Sequence, residues 1–306
     1  MHWRGLTIGS TPGGSARTLP RMGDERLLYE TRVRTRQVAV AALAAVLLIV
    51  AAVIGLVGPH TKVNELTLDL IYAHKRFPLD LIGAVINAGG LIALGGTLSW
   101  LMGAARARNP EQKEFIRALD WSGGVIAAIS GVAYAAVIAV KAHDFVTQGN
   151  QTYQQANHLT SGAGLVALPF VGQAGSLLLA VGFVLTALNA MRVGLLTRFM
   201  GYLGMFAGVL VLFPIGSPVP VVQGFWLFAL AYLLSGRWPT GVPPAWRTGR
   251  SEPWPPSATL RQQRDGGGVL GRRAKPAPER VPEPVGAPVT VRTRSGTPKR
   301  KRKRRR

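Results

Sequence analysis

The sequence contains no cysteine among its 306 residues. This absence excludes disulfide bonds, zinc knuckles built on paired cysteines and catalysis by a thiol, and it leaves the redox environment open. Glycine-rich phosphate loops, Ser-His-Asp arrangements and paired catalytic carboxylates are also missing from the sequence. We therefore expect no cofactor, and we favour a role other than catalysis.

Charged residues are missing from one long stretch, residues 199–236, whose middle contains Pro214, Pro218 and Pro220. A single helix of this length would measure about 57 Å, nearly twice the ~30 Å hydrocarbon core of a bilayer. Because proline lacks an N–H group and clashes with the preceding helical turn, we expect the chain to reverse there. The sequence therefore predicts two helices, 199–213 and 221–236.

Four further segments are apolar, free of charged residues and long enough to cross a bilayer. They are residues 38–58, 81–102, 121–140 and 168–191. The first is longer than the apolar part of a signal peptide, and no A-x-A cleavage pattern follows it. The predicted fold is an all-α, polytopic membrane bundle of six transmembrane helices over residues 38–236.

Small residues recur along two of these segments. The third segment has them at four-residue steps, and the fourth carries a shorter series; the residues are Gly123, Ala127, Gly131, Ala135 and Ala139, and then Gly172, Ser176 and Ala180. Small side chains let membrane helices approach closely, so each series predicts a helix-packing face.

Basic residues predict the orientation, because Lys and Arg resist translocation. Six spans place 32 of the 36 basic residues on one side of the membrane, together with both termini. We therefore expect a protein of the inner, or plasma, membrane with both termini in the cytoplasm. Residues 1–37 form the N-terminal segment, disordered over 1–21 and then a juxtamembrane helix. Translation starts either at Met1 or, as the change of composition at that point suggests, at Met22.

Residues 237–306 hold 19 basic and 4 acidic residues and 12 of the 21 prolines, a composition typical of a disordered tail. The tail ends in eight consecutive cations: Lys299, Arg300, Lys301, Arg302, Lys303, Arg304, Arg305 and Arg306. A basic segment tethered to a membrane meets anionic lipid headgroups first, so these headgroups and the bilayer are the expected partners. Nucleic acid is a less favoured partner, and a second copy of the chain is a further candidate.

Two groups of polar residues are candidate sites. Gln173 and Gln223 lie inside predicted spans, where an amide either bonds a neighbouring helix or lines a hydrated cavity. Four histidines, His60, His74, His143 and His158, lie in the two polar connectors 59–80 and 141–162. Their recurrence after 83 and 84 residues hints at a duplicated two-span unit that would bring them together as zinc or copper ligands. The alternative is that they are ordinary solvated side chains.

Residues 189–198 (NAMRVGLLTR), the following FMGYLG, and residues 223–238 (QGFWLFALAYLLSGRW), followed by PPAW, resemble uncharacterised actinobacterial polytopic integral membrane proteins of the DUF4386-like group. This resemblance implies a multi-span membrane protein of unknown activity and carries over no catalytic residue. The sequence favours a structural or regulatory membrane component. A small-solute transporter or channel and a metal-dependent membrane enzyme with outer-face histidines remain the alternatives.

Overall fold

The structure, a computed structural model, describes residues 22–57, 65–212, 220–239 and 241–252, with side chains from residue 32 onward. Every regular element within these residues is a helix, as the sequence predicts. In chain order they are α1 (Met22–Leu56), α2 (Leu66–Arg76), α3 (Leu79–Arg108), α4 (Phe115–Thr147), α5 (Tyr153–Thr160), α6 (Ala163–Arg192), α7 (Arg198–Leu212), α8 (Val221–Leu234) and α9 (Pro244–Thr248).

Four of these helices are long and apolar enough to cross a bilayer: α1 from Arg32 onward, α3, α4 and α6. Helices α7 and α8 have 15 and 14 residues, about 22 Å each, which is shorter than the ~30 Å hydrocarbon core. The structure thus supports a membrane protein with four candidate spans, and it leaves the six-span count unconfirmed.

Neighbouring long helices run antiparallel, as their close contacts show. A Cβ atom at Gly83 of α3 would lie 3.0 Å from Ile54 of α1, and one at Gly90, further along α3, would meet Leu48, earlier in α1. In the same way Gly175 of α6 lies against Ala127 of α4, and Gly172 lies against Ser130. Contacts in opposite chain order along two helices require antiparallel packing.

The six long or apolar helices form a closed ring of neighbours in the order α1, α3, α4, α6, α7 and α8, and α8 returns to α1. The last contact includes Gly224 of α8, whose missing Cβ leaves room for Ile49 of α1. Between α7 and α8, Trp226 donates a hydrogen bond to the Met200 carbonyl at 3.0 Å and packs edge-on against Phe183 of α6. The buried aromatic and aliphatic side chains of this ring form the main core.

The ring has two distinct ends. One end, which we call the basic face, is where α3, α6 and α8 finish and α4 and α7 begin, and its cations include Arg106, Arg108, Arg192, Arg198 and Arg237. The other end, the connector face, carries α2 and α5. There Leu70 of α2 is buried with Ala142 and Phe145 of α4 and Ala156 of α5, so the first polar connector packs onto the bundle.

The packing between α4 and α6 follows the predicted small residues only in part. Gly123 and Ala127 lie against α6 as expected, but Gly131 is exposed and a Cβ there would meet nothing within 4 Å. On α6 the contact is made by Gly172, Gly175 and Gly182, while Ser176 points elsewhere, into the cavity described below. Four-residue steps drift around a helix of 3.6 residues per turn, so a strict series leaves the contact after two turns.

The start of the C-terminal region differs from the disorder predicted for residues 237–306. The chain turns at Gly236 and forms α9, which begins at Pro244, a residue suited to the first helical turn, and ends before Gly249 at φ 68°. Ala245 and Trp246 are buried against the bundle. Composition predicted disorder because the average over 70 residues does not reveal that one side chain, Trp246, is buried against the bundle. Residues 253–306, with the eight terminal cations, lie outside the described residues, as do residues 1–21.

Candidate functional site: a cavity between five helices

A cavity of about 540 Å³ lies between α1, α3, α6, α7 and α8. Its walls come from the part of each helix nearer the connector face, or from its middle. They are Leu48, Ala51, Ala52, Ile54, Gly55, Asp80, Gly83, Ala84, Asn87, Leu91, Leu94, Ser176, Leu210, Val211, Pro220, Val221, Val222 and Gln223. The volume falls within the range of about 300–1,000 Å³ found for small-molecule sites.

One face of α3 forms the longest wall. Its lining residues follow one another at three- or four-residue steps, from Asp80 through Ala84 and Asn87 to Leu91 and Leu94. This spacing puts them on one side of a helix. The wall is therefore polar near the connector face and aliphatic toward the middle of the bundle.

Three uncharged polar side chains line the cavity: Asn87 of α3, Ser176 of α6 and Gln223 of α8. Gln223 is buried, and its amide nitrogen donates a hydrogen bond to the Ala207 carbonyl of α7 at 3.3 Å. This bond fixes the amide between two helices. The three groups come from three different helices, and each places hydrogen-bonding atoms on the cavity wall.

An ion pair stands at the rim of the cavity. Arg76 of α2, which is buried, donates to Asp80 of α3 at 2.7 Å. The same guanidinium donates to the carbonyls of Ile54 and Gly55 at 3.3 and 3.4 Å, at the C-terminal end of α1. A cation is favourable there because the last carbonyls of a helix carry partial negative charge. Arg76 therefore ties α1, α2 and α3 together where the cavity meets the connector face.

The cavity ends toward the middle of the bundle. Leu48 and Leu94 are buried on its wall, and beyond them, toward the basic face, the core is filled by large side chains such as Leu98, Leu101 and Phe183. The described wall of the cavity therefore lies in the part of the bundle nearer the connector face.

The structure separates the two predicted glutamines. Gln223 lies on the cavity wall, whereas Gln173 is exposed on α6 and is not part of that wall. Asn87 and Ser176 line the cavity with Gln223, although nothing in the sequence distinguishes them from the other polar residues of the spans.

The structure brings two of the four histidines together. The rings of His74 of α2 and His143 of α4 lie 5.5 Å apart between centroids, while His158 is exposed on α5. His60 lies outside the described residues. Within the described part of the chain, no group of three or more His, Cys, Asp or Glu side chains is placed to hold a metal ion.

Sequence reasoning missed a buried carboxylate. Asp120 directly precedes the third predicted span, residues 121–140, and so is expected outside the bundle. Helix α4 instead begins at Phe115 and takes Asp120 into the bundle, where it is fully buried. Its Oδ2 accepts a hydrogen bond of 2.7 Å from Thr186 of α6, and its Oδ1 has no hydrogen-bond partner in the described structure. The sequence does contain a signal for this burial. The spacing of three and four residues places Asp120 on the same helix face as Gly123, Gly124 and Ala127.

Comparison of this chain with protein-family models, with curated proteins and with solved structures finds no match.

Proposed function

We propose that the protein is a six-span integral membrane protein that binds a small, uncharged and largely apolar molecule in the cavity and carries it across the membrane. The observation that carries this proposal is the placement of Asn87, Ser176 and Gln223 around one apolar cavity inside the helix ring. The sequence favoured a structural or regulatory component. A cavity whose apolar wall carries polar groups from three helices instead favours the small-solute transporter among the alternatives.

The lining defines the class of molecule. Most of the wall is aliphatic, and its one charged residue, Asp80, is paired with Arg76 at the rim. An ion in the cavity would lose its hydration without a compensating charge, which costs several kcal/mol. A molecule with an apolar body and one or two hydrogen-bonding groups fits this wall best.

The depth of the cavity favours a carrier over a channel. A channel needs a continuous path, whereas here buried Leu48 and Leu94 separate the cavity from the basic face. A carrier has a site open to one side at a time, and its helices rearrange to expose the site to the other side.

The proposed topology has six spans, with the basic face in the cytoplasm. Helices α7 and α8 belong to the same ring as the four long helices, and α7 begins and α8 ends at the basic face. Large apolar side chains project outward from the ring, among them Ile129, Phe170 and Phe206. These exposed side chains suit a surrounding lipid bilayer, which we propose as the protein's main partner.

The test compares two matched substitutions. Ala84→Phe fills the cavity, whereas Ile129→Phe changes an exposed position on the outside of α4, 64% accessible and outside the cavity wall. Wild type and both variants are purified in the same detergent, and their bound small molecules are extracted and identified by mass spectrometry.

The proposal predicts that one low-mass compound co-purifies with wild type and with Ile129→Phe and is strongly depleted from Ala84→Phe. Reconstituted into vesicles, wild type should then accumulate that compound and Ala84→Phe should not. Equal recovery of every extracted compound from all three proteins would contradict the proposal and return the protein to the structural or regulatory class.

A further inference from the structure

Helix α9 is held on the basic face by its single tryptophan. Trp246 is 8% exposed, and its indole nitrogen donates a hydrogen bond of 3.1 Å to the carbonyl of Leu195, in the link between α6 and α7. Its ring stacks on that of Trp100 of α3, with centroids 5.5 Å apart and planes 12° from parallel. One side chain thus contacts two separate parts of the helix ring.

Arg108, near the end of α3, adds a second set of contacts to α9. Its Nε donates to the carbonyl of Ala245 at 2.9 Å, and its guanidinium carbon lies 4.9 Å from the centre of the Trp246 ring. A cation over an indole face is attracted by the ring quadrupole, and the attraction grows when the pair is removed from water. Arg108 is 8% exposed, so this pair is largely desolvated.

A third contact with the helix ring is made by the residues that follow α9. The main-chain nitrogen of Glu252 donates a hydrogen bond of 3.2 Å to the carbonyl of Val193, again in the α6–α7 link. Before α9, the chain comes directly from α8, with Trp238 against Tyr232. The segment 241–252 therefore connects the basic-face ends of α3, α6, α7 and α8.

Helices α3, α6, α7 and α8 also contribute to the cavity wall. Between the cavity and the basic face the core is filled by buried side chains such as Leu98 and Phe183. A movement of α3 away from the α6–α7 link is one way to open the cavity on that side. Such a movement breaks either the contacts of Trp246 with Leu195 or its contacts with Trp100 and Arg108.

We propose that α9 is a latch that keeps the cavity closed toward the basic face, and that its release from α3 or from the α6–α7 link opens the cavity to that side. This inference rests on the proposed carrier function, because it assigns a regulatory element to the same cavity. The latch consists of a few hydrogen bonds and one aromatic stack on a five-residue helix, so it can be released without unfolding the bundle.

The absence of cysteine makes a direct test simple. Ser176→Cys introduces one thiol of similar size into the cavity wall, in an otherwise cysteine-free chain. Its rate of reaction with a membrane-impermeant maleimide is measured separately from each side of sealed vesicles. Lys113→Cys in the basic-face loop and Thr147→Cys at the connector end, both exposed, identify the two sides.

Three variants are combined with Ser176→Cys. Trp246→Ala removes the stack and the hydrogen bond, and Trp246→Phe keeps a ring but loses the N–H donor. Trp121→Ala, at a tryptophan that is 50% exposed on α4, is the matched control. Loss of a buried hydrogen bond and a stack should raise the basic-side rate about tenfold in Trp246→Ala. Trp246→Phe should give a smaller rise, and the control should equal the parent.

Reaction from the connector side separates the two proposals. Unchanged connector-side rates show that the bundle is intact and its cavity accessible, and a basic-side rate that then stays low in Trp246→Ala overturns the latch alone. If Ser176→Cys reacts from neither side in the parent and in Trp246→Ala, the cavity is inaccessible and the carrier proposal fails with it.

Discussion

The hydroxyl of Thr186 donates a hydrogen bond of 2.7 Å to the carboxylate of Asp120, and both side chains are fully buried between α4 and α6. It is a polar side-chain contact between these two helices, which approach closely at glycines on both sides, among them Gly123 and Gly175. Polar groups removed from water need a partner, and a buried carboxylate with one bonded oxygen depends on that single bond. The pair therefore makes the register of α4 against α6 sensitive to the identity of either residue.

Thr186→Val should destabilise the protein by about 1–3 kcal/mol, because it leaves the buried Asp120 carboxylate without its hydrogen-bond donor. Thr97→Val is the matched control. Thr97 is also fully buried, but its hydroxyl donates to the Ala93 carbonyl of its own helix. Removing this hydroxyl therefore leaves no other side chain without its hydrogen-bond donor. Unfolding in detergent, followed by tryptophan fluorescence, measures both variants. An equal decrease in the free energy of unfolding for Thr186→Val and Thr97→Val would show that the hydrogen bond to Asp120 contributes no more to stability than a hydrogen bond within one helix.

Gly182→Ala should also destabilise the protein, by about 1–3 kcal/mol, because the new Cβ would press on Oδ1 of Asp120. Gly131→Ala should leave stability unchanged or slightly increased, since nothing lies within 4 Å of a Cβ at that position. In the double variant Asp120→Ala with Gly182→Ala, the free energy of unfolding should fall by less than the sum of the two single-variant decreases. The reason is that the carboxylate that the new methyl group would contact is absent. Strict additivity in the same unfolding assay would mean that these two residues do not touch.

Arg76→Gln should lower the free energy of unfolding by about 1–2 kcal/mol, since the guanidinium bonds the last carbonyls of α1. The ion pair with Asp80 contributes little of this, because the Asp80 side chain is 43% exposed and screened by solvent. Lys75→Gln removes the same charge from the preceding residue of α2, which is exposed, and should change stability by less than about 0.5 kcal/mol. A loss for Lys75→Gln as large as that for Arg76→Gln would point to net charge rather than to these contacts.

The six-span topology predicts the sidedness of each connection. A reporter that is active only in the cytoplasm should work when fused after Arg108 or Arg198, on the basic face, and fail after Asp69 or Gln151, on the connector face. The physical reason is the resistance of Lys and Arg to translocation. Cytoplasmic activity of the fusion after Gln151 would contradict the topology.

The helical class, and the approximate positions of the long helices, could be predicted because an apolar run of about 20 residues has few alternatives to a membrane helix. The ends were less predictable. Helix α4 begins at Phe115, before the predicted residue 121, because charged residues at a helix end are compatible with helix formation although they are unfavourable in lipid. This extension is what buries Asp120.

The candidate site could be predicted only as a set of polar residues inside spans. Whether Gln173 or Gln223 faces a cavity depends on which side of each helix meets its neighbours, and helices that are apolar all around carry no periodic signal for that choice. The packing of α9 against the bundle could not be predicted from the sequence for a different reason. Prolines and arginines dominate the composition of the tail, while the contact depends on Trp246 meeting Trp100 and Arg108, three residues far apart in the sequence.

We propose that the cavity between α1, α3, α6, α7 and α8 holds a small molecule, and an experimental structure in lipid nanodiscs, determined in parallel with the Ala84→Phe variant, would show it. We expect density for a bound molecule in contact with Asn87, Ser176 or Gln223 in wild type, and its absence in the variant. A wild-type structure in which Leu48, Leu94 and Val222 close against one another and leave no cavity would contradict it.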